Sequence, residues 1–387
     1  MSAKIDPLII SQVTELRKRL HRHPELSGKE VQTASRIKKF LKDYPPNEII
    51  EKVGGQGLLA IYDSGLPGSN ILLRCDMDAL SIEEVNDFGH RSENEGISHK
   101  CGHDGHMAIM AGVAAVLSQK RIQNGRVVLL FQPEEETGRG AEKVLHDPFF
   151  ENFKPDMVFA LHNLPGFDEK AVVLKQGSFA SASRGMIVKL QGASSHAAHP
   201  EQGKSPVKVV SNLLDGLPAI PLMKDTFDDF CMVTIIHARI GERAFGTSPG
   251  DAVVMATLRS YLDEDMEKLT GIAEKLVDHI CKKHNIDYEI NYTEVFPATV
   301  NNPDALELVK NAAEETGAKT IWIEEPFPWS EDFGHVTGKY PGAFFGVGAG
   351  KNHPGLHNNN YDFNDRIIET GVNIFINIIR QKNQLNV

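Results

Sequence analysis

An alternation of short apolar strands and amphipathic helices runs through this 387-residue chain, breaks once, and then resumes. PLIISQVTELRKRLHRHPELS reads as an amphipathic helix stopped near Pro24, and a second helix is predicted at about 28–43. GLLAIYDS and NILLRC are strand-like runs separated by the turn residues GLPGSN. HMAIMAGVAAVLSQ predicts a helix with Asp104 as its N-cap. VVLLFQ at 127–132 and MVFAL at 157–161 read as buried strands. This alternation specifies an α/β sheet covered by helices on both faces. The pattern changes near residue 180. From there GMIVKLQG, SPVKVVSNLLDGL, MVTIIHARI, AVVMATLRSYL, the segment from Asp263 to about Lys283, and YEINYTEV follow the order βαββαβ, the ferredoxin-like plan. A helix at 303–316, a strand at GAFFGVGA and a helix after Asp365 restore the first pattern. Residues 1–179 and 295–387 are therefore expected to form one domain, with 180–294 inserted as a smaller one. A chain of this length exceeds one ordinary core.

Charge and cysteine content remove whole classes of function. Lys and Arg number 41 and Asp and Glu 52, so 41 − 52 gives −11. An acidic chain with no basic stripe argues against nucleic acid as a partner. No apolar run approaches the ~20 residues of a membrane span. The N-terminus lacks a basic start followed by an apolar stretch, so the cytoplasm is the expected address. Cys75, Cys101, Cys231 and Cys281 are too widely spaced for a disulfide framework or a zinc ribbon.

In open α/β sheets, ligands collect at the carboxyl ends of the strands. NILLRC is followed by Asp76 and Asp78, VVLLFQP by Glu134, Glu135 and Glu136, and MVFAL by His162. GAFFGVGA leads to His353 and His357, and CGHDGH at 101–106 precedes the long helix. A thiolate and an imidazole at Cys101 and His103 suit zinc, cobalt, nickel or manganese better than calcium or magnesium. Adjacent Glu135 and Glu136 are expected to face different sides, one toward a metal and one toward a water, as metal-assisted hydrolysis requires. Each signal also has an ordinary explanation: a solvated acidic run, a hydrogen-bonded loop histidine, aspartates capping a turn. On these residues alone, a metal centre and a plain polar rim remain equally open. GVGAGK at 346–351 lacks the spacing of a phosphate loop.

Taken in order, the motifs resemble the metal-dependent N-acyl-amino-acid amidohydrolases, a group of aminoacylases, hippurate hydrolases and auxin-conjugate hydrolases within the zinc carboxypeptidase–aminoacylase superfamily. RLHRHPELSGKE, LLRCDMDAL, CGHDGHMA, FQPEEETGRGA, LHNLP, SSHAAHPEQGKSP, TLRS, SEDF and HPGLHNNNYDFND carry the resemblance nearly end to end. It implies a mixed-sheet, zinc-peptidase-like catalytic domain with an inserted ferredoxin-like α+β domain for dimerisation and lid closure. It implies two divalent metal ions per subunit (zinc, manganese, nickel or cobalt), with Cys101 bridging them and His103, Glu136, His162 and His357 completing the ligand set. Glu135 is implied as general base, and Asp78 as the acid behind a ligand, orienting it. His196 is implied to reach the active site of the partner subunit in a homodimer and stabilise an oxyanion. Arg259 is a candidate grip for a substrate carboxylate, with a structural arginine as the equal alternative. The implied activity is hydrolysis of N-acetyl or N-aroyl amino acids. A dipeptidase or carboxypeptidase using the same centre, and a non-catalytic binding protein, are the rivals. Departures from the family pattern fall at Glu134, Thr137 and Arg139, at FGTSPG (245–250), in SSHAAHP and at the HNN that starts with His357. They leave the implied ligands intact and bear on substrate identity.

Overall fold

The structure, a computed structural model, describes residues 5–385. Its first elements are α1 (Pro7–Arg22), α2 (Val31–Asp43), β1 (Glu48–Val53), β2 (Gly57–Asp63), β3 (Asn70–Asp76), α3 (His103–Gln119) and β4 (Arg126–Gln132). Next come α4 (Gly140–Leu145), α5 (Phe149–Asn152), β5 (Met157–Pro165), β6 (Val172–Leu174) and β7 (Gly177–Ala180). The middle of the chain forms β8 (Ala182–Gln191), β9 (Ser195–His196), α6 (Val207–Ala219), β10 (Cys231–Ile240), β11 (Thr247–Ser248), β12 (Asp251–Ser260), α7 (Asp263–His284) and β13 (Asp287–Phe296). The last elements are β14 (Thr299–Asn301), α8 (Pro303–Thr316), β15 (Thr320–Trp322), α9 (Gly334–Thr337), β16 (Gly342–Gly350) and α10 (Ile368–Asn383).

Two compact units result. One comprises Ala180–Ala298 with Phe327–Glu331, and the remaining described residues form the other. In the smaller unit the sheet order is β10-β12-β8-β13, all antiparallel. Together with α6 and α7 this is the ferredoxin-like arrangement. Alternate residues of β8 and β12 (Met186, Val188, Leu190, Val254, Ala256, Leu258) meet the apolar faces of those helices in one core. The span expected from the periodicity, 180–294, stops inside β13, which continues to Phe296. No periodicity marks Phe327–Glu331. Its place is set by backbone bonds from the Ser181 N–H to the carbonyls of Phe327 and Trp329. Arg259 Nη1 adds bonds to Pro328 O at 2.9 Å and Ser330 Oγ at 3.0 Å.

The larger unit carries an eight-stranded mixed sheet in the order β1-β2-β4-β3-β5-β16-β6-β15. β2 and β3 are neighbours in sequence, yet β4 lies between them, antiparallel to β2 and parallel to β3. β3, β5 and β16 run parallel, so their carboxyl ends open on one edge. Leu73, Cys75, Leu129, Phe131, Phe159 and Phe345 point into a core shared with α1, α3, α8 and α10. The alternate residues Leu72, Val128, Leu130, Val158 and Phe344 are buried as well, which is why these strands read as continuous apolar runs. β1 escaped the sequence reading because its charged, half-exposed face (EIIEKV) gives a weak strand signal.

α1 starts where Asp6 Oδ1 accepts the Leu8 N–H at 2.9 Å with Pro7 next in line, and it buries Ile9, Val13, Leu16 and Leu20. Arg17 and His21 share that buried stripe. Arg17 pairs with Asp362 at 2.7 Å and Asp365 at 2.8 Å. His21 meets Asp104 at 2.8 Å through Nδ1 and Glu84 at 3.1 Å through Nε2. Asp104 is therefore not the cap of α3: it lies in the first turn, engaged by His21, and Gly102 takes the N-cap position. Burial alone would lower the His21 pKa, but the hydrogen bonds to Asp104 and Glu84 outweigh it and hold the imidazolium up to about 9.

This has a measurable consequence. An unfolded histidine releases its proton near 6.5, so the folded state retains a proton that the unfolded chain loses above that pH. The contribution is complete below about 6.5 and disappears as pH rises through about 9; by linkage it is on the order of 3 kcal/mol. Urea unfolding at about pH 6, 7.5 and 9 should show this decline in the parent protein and a flatter profile in His21→Gln. An equal decline in the variant would assign the effect elsewhere.

Candidate metal centre

The carboxyl ends of β3, β4, β5 and β16 bring distant segments together. The first is the CGH loop, whose path depends on Gly102. Its φ is +97°, and a Cβ there would lie 2.3 Å from Asn163 Oδ1 and 2.7 Å from Tyr361 Oη. Asn163 Nδ2 donates to Tyr361 Oη at 2.6 Å, so both groups are held in place behind the loop. His103 then begins α3 with its Nδ1 2.9 Å from the Asp78 carbonyl. A carbonyl only accepts, so Nδ1 carries a proton in either charge state and Nε2 is the nitrogen left to face a metal. His162, on β5, is set in the same way by Nδ1 donating to the Asn163 carbonyl at 2.8 Å, and its Nε2 stands 3.4 Å from Cys101 Sγ.

His357 arrives on the loop after β16 in a left-handed conformation, φ +63°. Its N–H donates to the Lys100 carbonyl at 2.7 Å, and its Nε2 lies 3.7 Å from Glu136 Oε1. Beside groups formed by His103, Glu135 and Glu136 and by Asp76, His103 and His106, two donor triads have their ligand atoms within 4.8 Å of one another: Cys101, His103 and His162, and Cys101, Glu136 and His357. The thiol is common to both.

Glu135 and Glu136 do not diverge as a strand would make them. They share one 3-10 turn, Glu135–Thr137, so both carboxylates approach His103 Nε2, at 3.8 Å and 3.7 Å. Glu135 is buried, 6% exposed. Asp78 stands behind this turn: its Oδ2 accepts from Ser27 Oγ at 2.6 Å and from the Glu136 N–H at 3.0 Å. Glu134 turns away and pairs with Lys143 at 2.7 Å. His353 does not join the cluster, since its Nε2 bonds the Asp362 carbonyl at 2.6 Å. His196 and Arg259 belong to the smaller unit. His196 is exposed on β9, pairs with Thr247 of β11, and accepts the Ala198 N–H at 3.0 Å.

Behind the ligands lies a buried polar layer of which the strand-end reading picks out only Asp76. His106, one helical turn beyond His103, meets Asp76 Oδ1 at 2.7 Å and Asn163 Oδ1 at 2.7 Å. Arg74 binds Asp76 at 2.8 Å and Asp332 at 2.7 Å. The i, i+3 spacing inside CGHDGH was the available signal for His106. Nothing local pointed to Asn163, Tyr361 or Asp332.

The electrostatics favour a cation. Burial would lower His103, but Asp76, Asp78 and Glu136 outweigh it and raise its pKa to about 10. Burial pushes Glu136 up to about 7, against the pull of His103. Burial also raises the Cys101 thiol far above its ordinary value, reinforced by Glu136 and Glu135, and drives His162 well below the usual histidine range. Buried acids thus crowd a few imidazoles and one thiol. His103 Nε2, Glu136 Oε1 and Asp78 Oδ1 are buried and make no hydrogen bond. Unpaired buried polar atoms are costly, and two of these belong to the two triads. The sulfur, nitrogen and oxygen donors fit a pair of borderline-soft divalent ions.

The chain is also similar to known proteins. Residues 72–381 match the sequence profile of peptidase family M20/M25/M40. A hippurate hydrolase of Campylobacter jejuni is 32% identical over 360 residues, covering 92% of this chain and 92% of its own. A dinuclear metal binding peptidase of the same family from Bacillus subtilis superposes with a TM-score of 0.82 at 24% identity, covering 96% of this chain and 98% of its own. An aminobenzoyl-glutamate utilization protein from Klebsiella pneumoniae superposes with a TM-score of 0.74 at 19% identity, over 97% of this chain and 98% of its own.

Proposed function

The chain belongs to peptidase family M20/M25/M40, and on that premise we propose that it hydrolyses the amide bond of N-acyl amino acids, releasing a carboxylic acid and a free amino acid. One observation carries the reading: two donor triads share the Cys101 thiol, and the Glu135 carboxylate lies beside them, 3.8 Å from His103 Nε2. Cys101, His103, Glu136, His162 and His357 would hold two divalent ions. When bound, the ions act as Lewis acids and make water acidic enough to ionise near neutrality. Glu135 accepts the proton of the attacking water and later delivers it to the departing nitrogen. Asp78 keeps His103 in the correct tautomer and anchors the Glu136 backbone.

The named activity of the hippurate hydrolase relative supports an N-acyl amino acid over a peptide. The test is a panel of N-acetyl-, N-benzoyl- and aminoacyl-amino acids, run together with elemental analysis of the protein. The expected result is turnover of the N-acyl compounds with two equivalents of zinc, manganese, nickel or cobalt. Cleavage of dipeptides alone would make the chain a peptidase. Metal and substrate binding without turnover would make it a binding protein.

The smaller unit supports a homodimer. β10 is an edge strand of ten residues that leaves Ile236 61% and Ile240 39% exposed, and an exposed edge of this kind favours pairing with another chain. His196 of one subunit then serves the oxyanion in the active site of its partner. Arg259, whose Nη1 is committed to Pro328 and Ser330, grips the substrate carboxylate with its remaining donors. Mixing inactive His196→Ala and Glu135→Gln proteins should restore part of the activity once subunits exchange. No recovery, with exchange confirmed by mass-tagged subunits, would remove His196 from the partner's site.

A further inference from the structure

Glu134 is a non-glycine residue in the left-handed region, φ +56°, directly ahead of Glu135. Such a conformation carries a cost, and the surroundings must impose it. Two buried carboxylates contribute, beside the Gly140 N–H and Thr137 Oγ1 that donate to the Glu134 carbonyl at 3.1 Å and 3.2 Å. Glu30, fully buried at the start of α2, accepts the Glu134 N–H at 2.9 Å and the Gly28 N–H at 2.9 Å, both through Oε1. Asp78 Oδ2 accepts the Glu136 N–H at 3.0 Å. Alternate amides of the turn are thus tied to loops that precede α2 and follow β3. Glu30 Oε2 is buried and makes no hydrogen bond, so the side chain's polar bonds go to these two backbone amides. The Glu134 side chain reinforces the arrangement from outside: its carboxylate lies over Gly28, where a Cβ would sit 3.4 Å away, and is held by Lys143.

We propose that Glu30 is a positioning residue for the Glu135 base: by holding the Glu134 amide it fixes the left-handed entry to the turn and so the direction in which Glu135 points. This rests on Glu135 moving the proton. Glu30 itself stays clear of the reacting atoms and works through the backbone. Its role separates from that of Asp78, which holds the other amide of the same turn and also sets His103. Loss of the Glu30 acceptor releases the amide side of the entry residue, so that its φ relaxes toward ordinary angles while its carbonyl and the Glu136 amide remain tied.

The experiment compares Glu30→Ala, Glu30→Gln and Glu135→Gln in the full-length, metal-loaded protein, at a temperature where each is folded. Glu30→Ala should lower kcat about 10–100-fold with KM little changed, because misplacing a reacting group costs rate and not ground-state binding. Glu30→Gln keeps an acceptor oxygen at the same place and should recover kcat to within about threefold of the parent. Titration with Co2+ alone, followed by its visible absorption, should show both Glu30 variants filling the site as the parent does. If Glu30→Ala does not fold, Glu30→Asp, which retracts the acceptor by one methylene, should show the same fall in kcat. Parent-like kcat in Glu30→Ala beside an inactive Glu135→Gln overturns the positioning role alone. An equal loss in the Ala and Gln variants overturns it too, since charge and not the accepted hydrogen bond would then matter. An active Glu135→Gln overturns the underlying reading of the base instead.

Discussion

Glu135→Gln should lose about 10²–10⁴ in kcat, the range a general acid–base residue contributes, while still binding its metal ions. The reasoning is geometric. Glu135 is buried beside the donor cluster with Oε2 3.8 Å from His103 Nε2, yet the two triads of ligand atoms are complete without it. An amide of the same shape preserves packing and cannot accept a proton in the same way. Steady-state rates on the N-acyl substrate and Co2+ titration of the same preparation separate the two properties. Turnover near that of the parent would remove Glu135 as the base. Loss of metal together with turnover would make it a ligand.

Gly102→Ala is the second large effect expected, and it should strike metal binding and stability together. The backbone at Gly102 has φ +97°, which an L side chain adopts with strain, and the added methyl carbon would sit 2.3 Å from Asn163 Oδ1 and 2.7 Å from Tyr361 Oη. Those two groups are bonded to each other, and Asn163 is also bonded to His106, so none can yield freely. Strain and overpacking together predict a loss of about 2–6 kcal/mol. Because Cys101 and His103 flank the glycine, the loop that moves is the one presenting both. Urea unfolding of the metal-free protein and metal content after dialysis are the two readouts. Unchanged values in both would mean that Asn163 and Tyr361 have room the structure does not show.

The same loop shows what could be read without coordinates. CGHDGH was recognisable as a string, and the thiol and imidazole in it already pointed toward a borderline-soft metal. The βαββαβ order of the middle segment was legible because strand and helix periods are local properties of the chain. So was the burial of VVLLFQ and MVFAL, since strands covered on both faces must be apolar throughout. The two histidines after β16 were indistinguishable by such reasoning. The resemblance singled out His357; the path of the loop shows the physical difference, since His357 joins Cys101 and Glu136 whereas His353 bonds the Asp362 carbonyl.

Sequence by itself thus determined the layered α/β plan, the inserted ferredoxin-like unit and the pool of polar side chains at the strand ends. Their order of appearance identified the family. Tertiary structure decided the rest: that β4 separates β2 from β3, that Asp104 serves His21 and does not cap α3, and that Glu135 and Glu136 share a 3-10 turn facing one imidazole. It also decided which nitrogen of His103 and His162 donates to the backbone and which is left to face a metal, through the carbonyls of Asp78 and Asn163. The physical reason is the range of the interactions. Periodicity and side-chain chemistry are written over a few neighbouring residues. Tautomers and strained turns are set largely by hydrogen bonds from distant segments, as Glu30 shows by reaching across more than a hundred residues to hold the amide of Glu134.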